Sequence, residues 1–264
     1  TITGDANAGG SGTDGAVTMA DGAVIDAGSG TIDIDADEDV SLSTVTTTNT
    51  VDATSAAGAI IDNTAAETAN ITGSSLDLDA ATGIGSGASL DGTGDIEINA
   101  SSLSAVNSTS GTINITEVDS IALDDIINDT RAVVLDAGAA ISDNNAGTNN
   151  ITAGTLEIRA DSGIGSGDSL ETDLDTLAAV NGANGGNIEI DNADAGNAPL
   201  TLDTVSTLHG VVNTSTGGTI VITNDGAITV ADDGKESISG RRFSGYAKAN
   251  EGTFRAVGLL TELE

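Results

Sequence analysis

The chain has 264 residues, of which 41 are acidic and 7 basic, for a formal net charge of −34. That charge disfavours nucleic acid and anionic membranes as partners; the lack of Cys excludes disulfides and thiolate metal sites; and no run of about 18 apolar residues is present to cross a bilayer as a helix. Hydrophobic residues make up 38% but aromatics only 1%, so the core must be thin and aliphatic, without large rings to anchor it.

High charge with little aromatic content is also the composition of disorder. The regular alternation of β-branched and polar residues argues otherwise. Strand signals fall at 31–35, 76–79, 95–99, 112–116, 133–136, 156–159, 187–191 and 219–223, each alternating apolar with polar. From 76 to 156 their starts lie about 17–23 residues apart, with weaker strands and Gly-, Asn-, Asp- and Ser-rich turn text between. No helical period is visible before about residue 235.

The chain also repeats itself. Ile61, Ile71, Leu76, Ile84 and Leu90 return at an offset of 80 as Ile141, Ile151, Leu156, Ile164 and Leu170. Gly83-Ile84-Gly85-Ser86-Gly87 returns as Gly163-Ile164-Gly165-Ser166-Gly167. A second block occurs three times, at Gly30-Thr31-Ile32-Asp33-Ile34, Gly111-Thr112-Ile113-Asn114-Ile115 and Gly186-Asn187-Ile188-Glu189-Ile190. Each copy leads into a short strand: Val40-Ser41-Leu42, Ile121-Ala122-Leu123 and Leu200-Thr201-Leu202. Repetition on this scale means stacked units sharing one core.

The fold expected is all-β, a parallel β-helix with rungs of about 20 residues stacked about 4.8 Å apart. One 80-residue repeat would then be about four rungs, and residues 1–234 about 11–12. Ile, Leu and Val would point inward and Asp, Asn, Thr and Glu outward, with Asn or Thr ladders bonding rung to rung. Three tandem β-sandwich modules are the competing fold; short strands and missing Trp weigh against it.

Residues 235–264 differ in kind. They hold five of the seven cations and all three aromatics, for a net charge of +1. This segment is expected to be either a cap over the last rung or a docking element for another copy. Arg241, Arg242, Phe243, Tyr246, Phe254 and Arg255 are the candidate subunit-interface residues, since Arg and aromatics concentrate at interfaces.

Chemistry-bearing motifs are sparse. The single histidine, His209, lacks nucleophile-elbow spacing and reads as a loop or rung-edge residue. Carboxylate pairs such as Asp33/Asp35 and Asp77/Asp79 could in principle serve as acid and base on a polysaccharide. The body, however, offers only Arg131 and Arg159 and no aromatic to hold a sugar, so a solvated face is the simpler reading. Gly9-Gly10-Ser11-Gly12-Thr13-Asp14 matches the start of a calcium-binding nonapeptide once only. The acid-rich turn at 35–39 suits loose calcium binding better than a dedicated site. A Thr-array ice-binding surface is excluded by the mixed outward residues. Asn70, Asn107, Asn114, Asn128 and Asn150 each open an Asn-x-Ser/Thr acceptor pattern, in a chain where such matches arise by chance.

Between 71–90 and 151–170 the recurring text Ile-Thr…Leu-x-Leu/Ile…Gly-Ile-Gly-Ser-Gly…Leu resembles the filamentous haemagglutinin-like giant surface proteins of bacteria. The resemblance continues through Leu177-Ala178-Ala179-Val180-Asn181 and Gly186-Asn187-Ile188-Glu189-Ile190 and covers residues 15 to about 234. It implies a right-handed parallel β-helix, export to the cell surface, and adhesion, biofilm or filament formation. No secretion domain of that family is recognisable and residues 235–264 do not match its repeats. The chain begins without Met or a signal-like segment, so a processed product or a piece of something longer is expected.

The expectation is therefore a non-enzymatic extracellular rod without a cofactor, beyond loosely bound calcium. Its partners would be other copies of itself, with no nucleic acid and no membrane insertion. An adhesin contacting cell-surface glycans or proteins is the alternative, with the insertion at 192–199 as its variable site.

Overall fold

A computed structural model of the chain describes residues 1–4, 15–85, 94–193, 196–231, 238–239 and 243–247, the last two stretches as backbone. Among them there is no α-helix, and nearly every strand pairs in parallel with one a turn away. The result is a β-solenoid with rungs about 23 residues apart.

All eight strand windows read from the sequence are strands. They appear as Ile32–Ala36, Ile71–Ala80, Ile96–Asn107, Ile113–Glu117, Ala132–Ala137, Ile151–Ala160, Ile188–Asn192 and Ile220–Asn224. Four strands, including Leu170–Asn181, run to 10 or 12 residues. Ile98–Ala100 lies over Ile71–Gly73 and Ser102–Asn107 over Ser75–Ala80, so one strand carries both segments into the next turn.

The core follows from register. One ladder stacks Val17, Val40, Ile60, Ile84, Ile113, Val133, Leu156, Leu177, Leu202 and Val230 directly over one another. From Val40 to Leu202 these side chains are fully buried or within 1% of it. A second ladder stacks Ile32, Val51, Leu76, Leu103 and Leu123. Aliphatic side chains meeting their own kind at each level give a dry, continuous core at roughly 1.5–3 kcal/mol per buried residue.

Turns of about 23 residues correct the expected 20, and an 80-residue repeat becomes about three and a half turns instead of four. The half turn has a geometric result. Ile113 sits on the ladder of Ile84 and Ile60, whereas its sequence equivalent Ile32 sits on the ladder of Val51 and Leu76. The third copy, Ile188, returns to the ladder of Ile121, Ile141 and Ile164, whose strand stacks on Leu103. Equivalent blocks of successive repeats therefore lie half a turn apart. The register also shifts one equivalence: Ile141 matches the buried Ile60, and Ile61 is only half-buried.

Asparagine ladders form, but at buried corners and not on the outer face. Asn192 Nδ2 donates to Asn224 Oδ1 at 2.8 Å, Asn181 to Asn213 at 3.0 Å and Asn107 to Asn128 at 2.8 Å. Asn192 Oδ1 also accepts from Leu174 N and the Thr172 hydroxyl. Asn192→Ala strands these groups and should cost about 1–3 kcal/mol, read as a lower midpoint in urea unfolding.

Beyond residue 234 the ladder continues. Ile238–Ser239 pairs with Val211–Val212, and Phe243–Ala247 pairs with Ile220–Asn224, placing Phe243 opposite Ile220 and Tyr246 opposite Thr223.

Candidate functional site

The most chemically loaded place in the described structure is a cleft of about 330 Å³ on the outer side of the coil, lined by Glu67, Asp95, Glu97, Thr116, Val118 and Asp136 among others. Its floor is set by alternation. Ile96 and Ile98 point into the core, so Asp95 and Glu97 point outward. Above Glu97 the ladder places Thr116 and then Asp136.

The wall is the loop that precedes Ile71–Ala80, and a buried asparagine fixes it. Asn70 N donates to Glu97 O at 2.8 Å, while Asn70 Oδ1 accepts from Glu97 N at 3.0 Å. The Asn70 amide also donates to Asp62 Oδ1 at 2.6 Å. This clamp holds the backbone of Glu97 against the loop bearing Glu67, Thr68 and Ala69. The loop covers outward side chains that alternation alone would leave in water. Asp95 retains 4% exposure and Glu97 5%.

Carboxylate oxygens of Glu67, Asp95 and Glu97 all lie within 4.8 Å of one another. Asp95 has one partner, the Thr116 hydroxyl at 2.5 Å, and its other oxygen has none. Both Glu97 oxygens are buried without a hydrogen-bond donor. Burial, the charge of Asp95 and contact with the Glu67 carboxyl push Glu97 up to about 8; two carboxyls can bond each other only through a shared proton. Asp136 is also raised, mainly by burial, with Arg159 opposing and Glu157, Asp95 and Asp161 adding to the rise. Arg159 itself is engaged by Glu157 at 2.6 Å.

The clamp recurs one repeat later. Asn150 N donates to Glu171 O at 2.7 Å, its Oδ1 accepts from Glu171 N at 3.0 Å, and its amide donates to Asp143 Oδ1 at 2.7 Å. Glu171 likewise has a buried oxygen without a partner. Its carboxyl is raised by burial first and then by Asp143, Asp168 and Asp191, against a backbone hydrogen bond that lowers it.

The aspartate pairs found in the sequence merge into one outer strip, with Asp33, Asp52 and Asp77 in register and Asp35 and Asp79 two levels apart around Thr54. Asp52, Asp77 and Asp79 are raised by partial burial and by one another's charge. His209 lies in a short antiparallel hairpin, Thr204–Val205 with Leu208–His209, where its Nδ1 meets the exposed Thr204 hydroxyl at 2.7 Å. Val205 and Leu208 of this hairpin pack on outward-facing Ala178, and Thr207 contacts Arg159. Nothing in the strand pattern announced the hairpin, because it interrupts the coil.

The five asparagines named above for the glycosylation pattern are buried to 1% exposure or less; they are structural residues of the folded chain, and of the two further matches, Asn99 and Asn213, only Asn99 is exposed. Among the proposed interface residues, Phe243 and Tyr246 fall on the last described strand. Arg241, Arg242, Phe254 and Arg255 lie outside the described residues, as does the segment at 9–14. The sequence reading missed Glu67, Asp95 and Glu97; Asp95-x-Glu97 at strand spacing was its only trace.

No family model, curated protein or solved structure matches the chain. Its class rests on its own stacking register: it is a β-solenoid repeat protein.

Proposed function

We propose that the chain is an extracellular structural rod that forms or extends a cell-surface fibre, without catalytic activity of its own. The observation that carries this reading is the unbroken aliphatic ladder from Val17 to Val230. A core assembled one rung at a time can be prolonged by any further rung of the same kind. At its amino-terminal end Val24–Asp26 pairs on one edge only among the described strands, and Val24 is 65% exposed. Such an edge is a template for another strand. The repeat text supports the same reading through its likeness to haemagglutinin-like surface proteins, whose filaments and adhesion this rod would serve. The strong negative charge keeps neighbouring rods apart until ends meet.

Negative-stain electron microscopy tests it. Filaments, or rods joined end to end, are expected from the full chain. They should disappear when the chain is cut at residue 234, which removes the last two described strands and the basic, aromatic segment. Single short particles at every salt and calcium concentration would count against assembly.

A second reading, an adhesin for cell-surface glycans or proteins, draws on the hairpin at 204–209, which breaks an otherwise regular coil, and on the sequence insertion at 192–199. Glycan or cell binding that is lost on shortening these two insertions, with rod assembly intact, would favour it.

A further inference from the structure

We propose that Glu67, Asp95 and Glu97 form a binding site for a hard divalent cation of the calcium type, bridging two rungs of the solenoid. Three observations point there. The donor set is oxygen only, which suits calcium and disfavours soft or imidazole-seeking metals. The oxygens lie within 4.8 Å of one another, so one ion at ordinary calcium–oxygen distances of about 2.3–2.6 Å can touch all three residues. Finally, Glu97 is 5% exposed with neither oxygen given a donor, and Asp95 is 4% exposed with one oxygen left over.

Buried carboxylates without partners are costly unless paired with a cation or protonated. Folded chains tolerate them where a ligand completes the set. Among the described residues no Lys or Arg lines the cleft. The described cation nearest in the ladder, Arg159, already bridges to Glu157. Asn70 and Thr116 act as positioning residues: one clamps the backbone of Glu97, and the other holds Asp95 by its hydroxyl. The open side of the cleft leaves room for water to complete the coordination.

The exposed strip of Asp33, Asp52 and Asp77 is not such a site, since its carboxylates face water. It supplies the control. This proposal goes beyond the fibre reading, and neither depends on the other.

Thermal unfolding of the full chain at constant ionic strength decides it, with calcium chloride replacing sodium chloride. In wild type, millimolar calcium should raise the midpoint by several degrees beyond the sodium reference. Glu97→Gln replaces a buried carboxyl to which the apo cleft offers no donor. The variant should therefore melt above wild type in chelator, and its calcium-dependent rise should be lost. Asp52→Asn should keep the full rise. Calorimetric titration should show a calcium-binding event in wild type that is absent from Glu97→Gln. An equal calcium shift in Glu97→Gln, or no shift in wild type beyond that given by sodium, would overturn the site.

Discussion

Gly165→Val should lower the stability of the chain by about 3–5 kcal/mol, while Gly167→Ala, two residues on in the same motif, should cost only about 1–2 kcal/mol. The contrast comes from where the next rung passes. Gly165 has φ +60°, and a Cβ there would overlap the carbonyl oxygen of Glu189 and approach Leu170 N to 2.7 Å. Gly85 has φ +71°, with the carbonyl oxygen of Asn114 in the same place. Between the two outer glycines of Gly-Ile-Gly, Ile164 bridges Ile141 below and Ile188 above, fully buried, as Ile84 bridges Ile60 and Ile113. The motif thus plugs the core with one isoleucine while the backbone crosses close beneath the next turn. Gly167 has φ +97° but open space where a methyl would go, so only its backbone conformation is strained. Urea unfolding followed by circular dichroism measures both. A Gly165→Val midpoint near wild type would mean that the turns are not stacked as described.

Stability should fall as pH rises from about 4.5, through about 7 for Glu117 and about 8 for Glu97, the two carboxyls pushed furthest up; Glu117 is the one buried in the core. Alternation along Ile113–Glu117 points Glu117 inward, at 3% exposure, on a ladder that continues as Ala137 and Ala160. Burial pushes its carboxyl from an ordinary 4.5 up to about 7, although its oxygens accept hydrogen bonds from Ala100 N at 3.0 Å and Asp119 N at 3.1 Å. The sign follows from proton uptake. Between those two values the folded chain still holds the proton and the unfolded chain has released it, so each rise in pH favours unfolding. The stability is fully present below about 4.5 and gone above about 7, a loss on the order of 3 kcal/mol at 1.36 kcal/mol per unit. Asp52, Asp77 and Asp79, raised as well, add the same sign at lower pH. Asp143 is lowered: although burial raises it, hydrogen bonds from Asn150, Asn145, Ala146 and Asn144 prevail. Its contribution is therefore lost on strong acidification. Thermal melts in chelator at constant ionic strength should place maximum stability at mildly acidic pH, and Glu117→Gln should flatten the decline. A midpoint that is flat or rises across this range would refute the assignment.

Much of this architecture was legible from residues alone because its signals are local. A strand such as Ile32–Ala36 announces itself by alternating Ile with Asp, whatever lies above or below it. The glycines of 83–85 and 163–165 were visible as a repeated motif, although their reason, the close pass of the next turn, was not. The buried role of Asn70 and Asn150 was hidden, because an asparagine that bonds a neighbouring turn looks like one in a surface loop. Glu117 was equally hidden, since a glutamate at the end of an alternating run gives no sign that its ladder neighbours are Ile98 and Ala137.

Composition, alternation and the 80-residue echo by themselves determined that the chain is all-β, aliphatic in its core and coiled in stacked parallel rungs. Only the tertiary structure decided the length of the turn, and with it the half-turn offset that carries equivalent blocks to alternate ladders. It also decided that Glu67, from a loop, meets Asp95 and Glu97, from the next turn. The reason is that alternation acts between neighbours in sequence, whereas the register between turns is set by how far each loop travels before its strand finds the ladder below.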